Sequence, residues 1–183
     1  MKNFLNISLA LTFVLAFSAV TSAQNKVKWV SWDDAMEANK TNKKKFVVDI
    51  YTDWCGWCKK MDKATFQQDH IARYINKNFY AIKFDAEMKE DIVFNGQTYR
   101  FVKNGKKGYH ELALAITQGK LSYPTVVFLD ENLSVIQPIP GFQDAKMFEQ
   151  IMTYFSDDHY KNTPWATYTR SYKSNPAVHT VSH

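Results

Sequence analysis

The sequence predicts an α/β domain with a central mixed β-sheet flanked by helices. Three short runs of apolar and β-branched residues, at 46–51, 79–84 and 125–129, have the density of strands that are covered on both faces. Segments with apolar residues at helical spacing alternate with these runs. The predicted order is β α β α α β, a hairpin, then α β β α α, and such alternation favours a sheet with helices on both sides.

The first half of the domain is predicted to contain three strands and three helices. A short edge strand at 26–30 precedes a helix that Ser31 caps, since Asp34 follows three residues later as in a capping box. The strand at 46–51 leads into a helix that ends at about residue 66. In the next helix apolar residues recur at helical spacing: Ile71, Tyr74 and Ile75.

The segment after the strand at 79–84 is predicted to form a hairpin, a loop and a helix. Residues 92–101 predict a β-hairpin, because Asn95-Gly96 supplies the positive φ angles that a tight turn needs. The glycines near 104–108 indicate a further loop. Residues 109–118 have the composition of a helix, and Gly119 is a natural residue to end it.

The last part of the domain is predicted to contain two strands and two helices. The strand at 125–129 pairs antiparallel with a strand at 133–137, which Pro138 and Pro140 end. Asp144 caps the next helix. Pro164 begins a final short helix, since proline suits the first helical position.

The N-terminus predicts export. Residues 1–23 have the pattern of a signal peptide, with Lys2, an apolar run at 7–20 and a small-residue cleavage site. The predicted domain covers 24–173 with an insertion at about 86–109, and 174–183 is expected to be a flexible tail. We therefore expect a periplasmic or secreted protein that is not inserted in the membrane after cleavage.

Composition argues against two classes of function. The formal net charge is +5, but the basic residues lie in short clusters without the stacking aromatics of a nucleic-acid module, so no nucleic-acid partner is expected. Two cysteines supply half of a zinc site and the five histidines are scattered, so no metal is expected.

Cys55 and Cys58 are the only cysteines and predict a redox pair. A bridge between them closes a very short loop, so it would constrain the unfolded chain too little to serve as a structural staple. Cys55 lies where a strand ends and a helix begins, and the helix dipole stabilises a thiolate there. We expect Cys55 to be the exposed nucleophile and Cys58 the shielded resolving thiol.

Trp54, Gly56 and Trp57 surround the pair and are predicted to bind substrate. Gly56 would permit close approach of a substrate backbone. Exposed tryptophans beside a reactive thiol suit a docking patch for extended polypeptide. The alternative is that one or both tryptophans pack in the core.

The stretch at 48–59, with its Trp-Cys-Gly-Trp-Cys-Lys motif, resembles the active site of thioredoxins. It is most similar to exported bacterial members of the thioredoxin-like superfamily. Asp49 lies six residues before Cys55, where thioredoxins keep a buried aspartate. Lys83 matches the lysine that neighbours that aspartate, and Tyr123-Pro124 matches the cis-proline segment that faces the cysteines.

This resemblance implies a thioredoxin-like fold and a role for each matching residue. Asp49 would transfer a proton with Cys58, because burial raises the pKa of a carboxyl group. Lys83 would tune Asp49, and Tyr123 with Pro124 would present backbone to a substrate strand. The alternatives are an aspartate satisfied by local hydrogen bonds, a surface lysine and a proline that only begins a strand.

The chain departs from the family at three places: the Gly56-Trp57 dipeptide, the insertion and the extra C-terminal helix. His110 within the insertion is expected to start a helix and not to act in catalysis. The predicted function is an exported thiol–disulfide oxidoreductase. It is expected to reduce disulfide-containing protein substrates, to need no cofactor beyond its own redox-active disulfide, and to receive electrons from a membrane donor.

Oxidase or isomerase activity would use the same residues. A further alternative is a non-catalytic binding module or redox switch, in which the insertion and the C-terminal helix bind a partner protein.

Overall fold

Nine strands and seven α-helices make up the part of the chain that the computed structural model describes, residues 26–173 and residue 178. The strands are β1 (Trp29–Val30), β2 (Lys45–Tyr51), β3 (Phe79–Asp85), β4 (Ile92–Phe94), β5 (Gln97–Tyr99), β6 (Phe101–Asn104), β7 (Lys107–His110), β8 (Thr125–Leu129) and β9 (Val135–Pro140). The helices are α1 (Trp32–Thr41), α2 (Gly56–Met61), α3 (Asp69–Asn78), α4 (Glu111–Ile116), α5 (Ala145–Ser156), α6 (His159–Asn162) and α7 (Trp165–Ser171). A π-helical turn (Asp62–Phe66) continues α2.

The central sheet has five strands in the order β1-β3-β2-β8-β9. β1, β3 and β2 run parallel to one another. β8 lies antiparallel to β2 on its other side, and β9 lies antiparallel to β8 at the edge. The mixed sheet with helices around it confirms the predicted fold class, a thioredoxin-like α/β fold.

Alternate residues along the central strands fill two cores, one on each face of the sheet. Val47 and Phe128 pack against α3 and α5 on the first face. Phe46 and Val48 pack against α1 and α4 on the second face. Because both faces of β2 are covered, its sequence is a continuous apolar run and not an alternating one.

The insertion contains two hairpins, where the sequence predicted one hairpin and a loop. β4 and β5 pair across the Asn95-Gly96 turn as expected. β6 and β7 form a second hairpin, and β7 takes over the first residues of the predicted helix at 109–118. His110 ends this strand and caps α4, because its Nδ1 accepts the Leu112 N–H at 3.2 Å.

β9 continues through Pro138 and Pro140, so the prediction that these prolines end the strand is wrong. β9 is an edge strand that pairs with β8 alone. Proline has no backbone N–H, and prolines at alternate positions leave the same side of a strand without donors. An edge strand tolerates this when that side faces away from its partner strand. The strand keeps its pairing, and its free edge offers fewer hydrogen-bond donors.

The other ends of elements differ from the predictions by a few residues. The edge strand β1 covers only the last two residues of the expected stretch. Ser31 and Asp144 cap α1 and α5 as predicted. Pro164 is the N-cap of α7 and not its first helical residue, and the four-residue α6 was not predicted.

Two expectations fall on residues outside the described part of the chain, the signal peptide at 1–23 and most of the tail at 174–183. Within that tail only Val178 is described, and it is buried in the first core. No helix between residues 26 and 173 is long and apolar enough to cross a bilayer.

Candidate redox site

A disulfide joins Cys55 and Cys58 directly after the end of β2. The two sulfur atoms are 2.11 Å apart, and the Cα atoms are 5.3 Å apart. Cys55 is the N-cap of α2, and its Sγ accepts the N–H of Cys58 at 3.0 Å. The first sulfur thus occupies the position where free helical N–H groups stabilise negative charge.

Both cysteines are buried, so the expectation of an exposed Cys55 beside a shielded Cys58 is wrong for this disulfide form. Cys55 is 4% exposed and Cys58 is 3% exposed. The bridge holds each sulfur against the other, and the start of α2 encloses the pair. The distinction between nucleophile and resolving thiol therefore rests on the helix N-cap, which Cys55 alone occupies.

Two exposed tryptophans flank the disulfide. Trp54 is 58% exposed and Trp57 is 57% exposed, which rules out the alternative that either packs in the core. The Trp54 ring meets the ring of Tyr123 edge-on at 5.8 Å, and the Trp57 ring lies 5.6 Å from Phe142. These four rings form an aromatic surface on either side of the cysteines.

The loop before β8 carries the predicted cis peptide. The bond between Tyr123 and Pro124 is cis, and the Pro124 carbonyl accepts the N–H of Gly141 at 2.8 Å. Tyr123 is half-buried and contacts Trp54, so this loop borders the cysteine loop. The space above Gly56 is open, since a Cβ placed there would meet no atom within 4 Å.

Asp49 is buried in the sheet directly opposite Lys83 of the neighbouring strand. It is 1% exposed, and its Oδ2 lies 2.5 Å from the Lys83 Nζ. Its Oδ1 has no hydrogen-bond partner among the described residues. Burial raises the pKa of Asp49 from 3.8 to about 6, even though the ammonium group of Lys83 acts in the opposite direction.

Lys83 binds a second carboxylate, that of Asp62, which the sequence reasoning missed. Burial lowers the Lys83 pKa, but attraction to Asp49 and hydrogen bonds to both carboxylates outweigh burial and raise it above its ordinary value. Three aromatic rings lie within cation–π distance of its Nζ, at 5.0 to 5.7 Å: Trp29, Tyr51 and Phe66.

The position of Asp62 in the sequence, relative to Cys58, could have indicated this residue. It follows Cys58 by four residues, so the two side chains lie on the same side of the helix, one turn apart. The Asp62 N–H donates to the Cys58 carbonyl. Asp62, Lys83 and Asp49 thus form a continuous polar path, and its first member, Asp62, lies one helical turn after Cys58.

No group of three or more His, Cys, Asp or Glu side chains placed to hold a metal ion occurs among the described residues. Among the described residues, the site supplies the cysteine pair and the carboxyl and ammonium groups of Asp49, Asp62 and Lys83.

The family model of the thioredoxin-like domain matches residues 32–156. This span is more than half of the chain, and the chain belongs to the thioredoxin-like domain family. The match includes both cysteines, Asp49, Lys83 and Tyr123-Pro124.

Among curated proteins, the chain is 34% identical over 120 residues to uncharacterized protein B0495.5 of Caenorhabditis elegans. It is 27% identical over 126 residues to the thiol:disulfide interchange protein DsbD of Yersinia pestis. These alignments cover 65% and 68% of this chain, but only 14% and 17% of the two relatives. The chain therefore spans less than a fifth of the length of each of these two relatives.

Solved structures share the fold. A DsbH oxidoreductase superposes with a TM-score of 0.54 at 17% identity, covering 85% of this chain and 95% of that one. A thioredoxin-fold protein from Helicobacter pylori superposes with a TM-score of 0.55 at 21% identity, covering 75% and 84%. The thioredoxin-like fold of this chain, together with its Cys-X-X-Cys pair, supports the assignment of this chain as a thiol–disulfide oxidoreductase.

Proposed function

We propose that the protein is an exported thiol–disulfide oxidoreductase that reduces disulfides of protein substrates. The observation that carries the proposal is the Cys55–Cys58 disulfide at the start of α2, between two exposed tryptophans and beside the Asp62–Lys83–Asp49 path. The similarity to a protein named for thiol:disulfide interchange supports this chemistry.

In the proposed reaction, the Cys55 thiolate attacks one sulfur of a substrate disulfide. The substrate S–S bond breaks, a mixed disulfide forms, and the first substrate sulfur leaves as a thiolate that takes a proton from solvent. Cys58 loses its proton to Asp49 and attacks the Cys55 sulfur. The second substrate sulfur leaves and is protonated, so two electrons pass from the protein dithiol to the substrate.

Asp49 suits this proton transfer because a carboxyl group with a pKa of about 6 exchanges protons readily near neutral pH. Burial raises the pKa of Asp49, and the ammonium charge of Lys83 limits that rise, since it acts in the opposite direction. The aromatic surface of Trp54, Tyr123, Trp57 and Phe142 would hold an extended substrate against the disulfide. The open space above Gly56 leaves room for the substrate backbone, and the cis Tyr123-Pro124 segment would present its own backbone to it.

The N-terminal sequence supports export. Residues 1–23 would be removed as a signal peptide, leaving a domain from residue 24 and a tail from residue 174 in the periplasm. Each cycle leaves the protein oxidised, so a reductant is needed outside the cytoplasm, and a membrane electron donor would supply it. No other cofactor is proposed.

The reaction is tested by reduction of insulin disulfides with dithiothreitol as the terminal reductant. Wild type should accelerate it, and Cys55→Ser should abolish the acceleration. Cys58→Ser is the matched variant: it keeps the nucleophile and should accumulate a mixed disulfide that non-reducing electrophoresis detects. Absence of acceleration by wild type, or equal acceleration by Cys55→Ser, would show that the protein is not such an enzyme.

The direction of electron flow is tested by the reduction potential of the pair against glutathione. A reductase should have a value near that of thioredoxin, about −270 mV, and an oxidant a value near about −120 mV. A value close to −120 mV would reverse the proposed direction.

A second candidate is a redox switch without turnover that binds a partner through the insertion. The contact between Lys107 of β7 and the Trp54 ring, 4.9 Å from Nζ to ring centroid, favours it, since that contact links the insertion to the cysteine loop. The insulin assay separates the two candidates, because a switch without turnover would not accelerate the reaction.

A further inference from the structure

A groove of about 520 Å³ lies between the cysteine loop and the second hairpin of the insertion. It is bordered by Asp53 and Trp54 of the cysteine loop, by Asp85 at the end of β3, and by Glu87 and Lys89 after it. Five residues of the hairpin form the other wall: Phe101, Lys103, Lys106, Lys107 and Gly108. Since Trp54 is the residue before Cys55, the groove opens beside the disulfide.

The shape of the hairpin wall of the groove depends on Gly108, which has no side chain. The Phe101 ring lies across Gly108, where a Cβ would be 2.1 Å from the Phe101 Cζ. The Lys89 Nζ sits 5.4 Å from the centroid of the same ring. This wall therefore presents a flat aromatic side chain between lysines.

The charged side chains on the hairpin wall of the groove are all lysines, and Lys89 adds a fourth lysine from the segment after β3. The four lysines are exposed, and among the described residues none of their ammonium groups lies within 4.0 Å of a carboxylate. Of the three carboxylates, Glu87 accepts the Trp54 indole N–H at 3.1 Å and Asp85 accepts the Glu87 backbone N–H at 2.9 Å. These hydrogen bonds do not remove the carboxylate charges, so four positive and three negative groups line the groove, and the negative groups lie on the wall formed by the cysteine loop and residues 85–87.

We propose that this groove binds an acidic segment of a substrate polypeptide, next to the disulfide that Cys55 attacks. This inference rests on the proposed function and specifies its substrate class. An extended segment that crosses the aromatic surface at Trp54 would continue into the groove, where carboxylate side chains meet the four ammonium groups and the Phe101 ring supports their carbon stems. The insertion then selects substrates by charge, while the cysteine loop performs the reaction.

The test uses three peptides of equal length with one internal disulfide, flanked on one side by aspartate and glutamate, by asparagine and glutamine, or by lysine. Turnover is driven by dithiothreitol, and kcat/KM is measured for each peptide. The acidic peptide should exceed the neutral one by about fivefold or more, and the basic peptide should fall below it. The preference should shrink toward equality at about 1 M salt, where the Debye length is about 3 Å.

The variant that tests the groove is Lys89→Gln/Lys103→Gln/Lys106→Gln, which leaves the Lys107 contact with Trp54 in place. The ratio of kcat/KM for the acidic over the neutral peptide should fall to near one. The matched control is Lys77→Gln/Lys120→Gln/Lys146→Gln, which changes the net charge equally at exposed lysines outside the groove and should keep the ratio.

Three outcomes would overturn the proposal. Equal reduction of all three peptides by wild type would refute the binding of acidic segments in the groove and leave the oxidoreductase function intact. An equal loss of preference in both triple variants would assign it to net charge. Faster reduction of oxidised glutathione, with no preference among peptides, would assign the groove to a small anionic disulfide. If wild type reduces none of these disulfides, the proposed function itself fails.

Discussion

At the scale of single residues, Lys83 lies between two carboxylates, and this position affects the pKa of Asp49. Its ammonium group is shared by Asp49, which is buried, and Asp62, which is partly exposed. A shared ammonium group stabilises the Asp49 anion less than a dedicated one would, and the Asp62 charge itself raises the Asp49 pKa. Asp62 thereby acts as a positioning residue that helps keep Asp49 protonated at mildly acidic pH.

The variant Asp62→Asn should lower the pKa of Asp49 below about 6. It removes a like charge, and the ammonium group of Lys83 then interacts with the Asp49 carboxylate alone. Asp49 is proposed to act as a base, so resolution of the mixed disulfide should accelerate with pH through its pKa. In the variant this acceleration should occur at lower pH. Rapid-quench measurement of mixed-disulfide decay between pH 4.5 and 8 records it.

Two variants complete that experiment. Asp49→Asn should remove the pH step altogether and slow the decay, whereas Asp33→Asn, at an exposed carboxylate on α1, should reproduce wild type. If Asp62→Asn and wild type share one pH profile, Asp62 has only a structural role.

At the scale of the element, the second hairpin is held in shape by a close contact of a ring with a glycine. Gly108→Ala would place a Cβ 2.1 Å from Phe101 Cζ and 2.6 Å from the Val102 carbonyl oxygen. Because one of these atoms is backbone, the hairpin must distort. We expect the free energy of unfolding to fall by about 1–3 kcal/mol.

Urea denaturation measures that loss, and amide exchange should locate it in β6 and β7. The matched double variant Phe101→Leu/Gly108→Ala removes the ring and should recover part of the stability. A Gly108→Ala protein as stable as wild type, with unchanged exchange in the hairpin, would show that the close contact is not needed.

The elements that the sequence predicted well are those whose burial leaves a local pattern. β2, β3 and β8 are covered on both faces, so their residues form continuous apolar runs. β6 and β7 left no such pattern, since Lys103, Lys107 and Gly108 give neither alternation nor apolar density. β9 was predicted too short because proline is excluded from paired strands in general, and only the sheet order shows that this strand lies at an edge.

The residues of the site also divide into those that a sequence pattern indicates and those that depend on packing. The positions of both cysteines, Asp49, Lys83 and Tyr123-Pro124 could be predicted because each lies at a fixed place in a family pattern. The burial of Cys55 and the contact of Asp62 with Lys83 could not, because both depend on side-chain packing between segments that are distant in sequence.

At the scale of the whole molecule, the buried carboxyl group of Asp49 makes stability depend on pH. Its folded pKa of about 6 lies above the ordinary value of 3.8, so between these values the folded protein binds more protons than the unfolded chain. The free energy of unfolding should therefore fall as pH rises from about 4 to 6. The shift corresponds to about 3 kcal/mol.

Oxidised Asp49→Asn should lack this slope and be more stable than wild type at pH 7 to 8. Urea unfolding of both oxidised proteins at pH 4 and pH 7.5 measures the difference, and Asp33→Asn again serves as the control. Parallel pH dependence of wild type and Asp49→Asn would show that Asp49 is not the group responsible.

Both edges of the central sheet are poorly suited to adding a further strand. β1 has two residues, and β9 carries two prolines. A substrate strand would therefore find little support at either edge, which agrees with the proposal that it binds at the cis-proline loop.

The ends of the insertion meet: the N–H of His110 donates to the carbonyl of Ala86 at 2.7 Å, beside the end of β2. Its first hairpin contributes Ile92 and Phe94 to a core, whereas the residues at the tip of the second hairpin, 103–107, are exposed and belong to neither described core. Residues 103–107 can therefore be exchanged without rebuilding the interior. Grafting other tips onto this scaffold offers a route to oxidoreductases with a chosen substrate charge, and natural variants could diverge in the same way while keeping one catalytic frame.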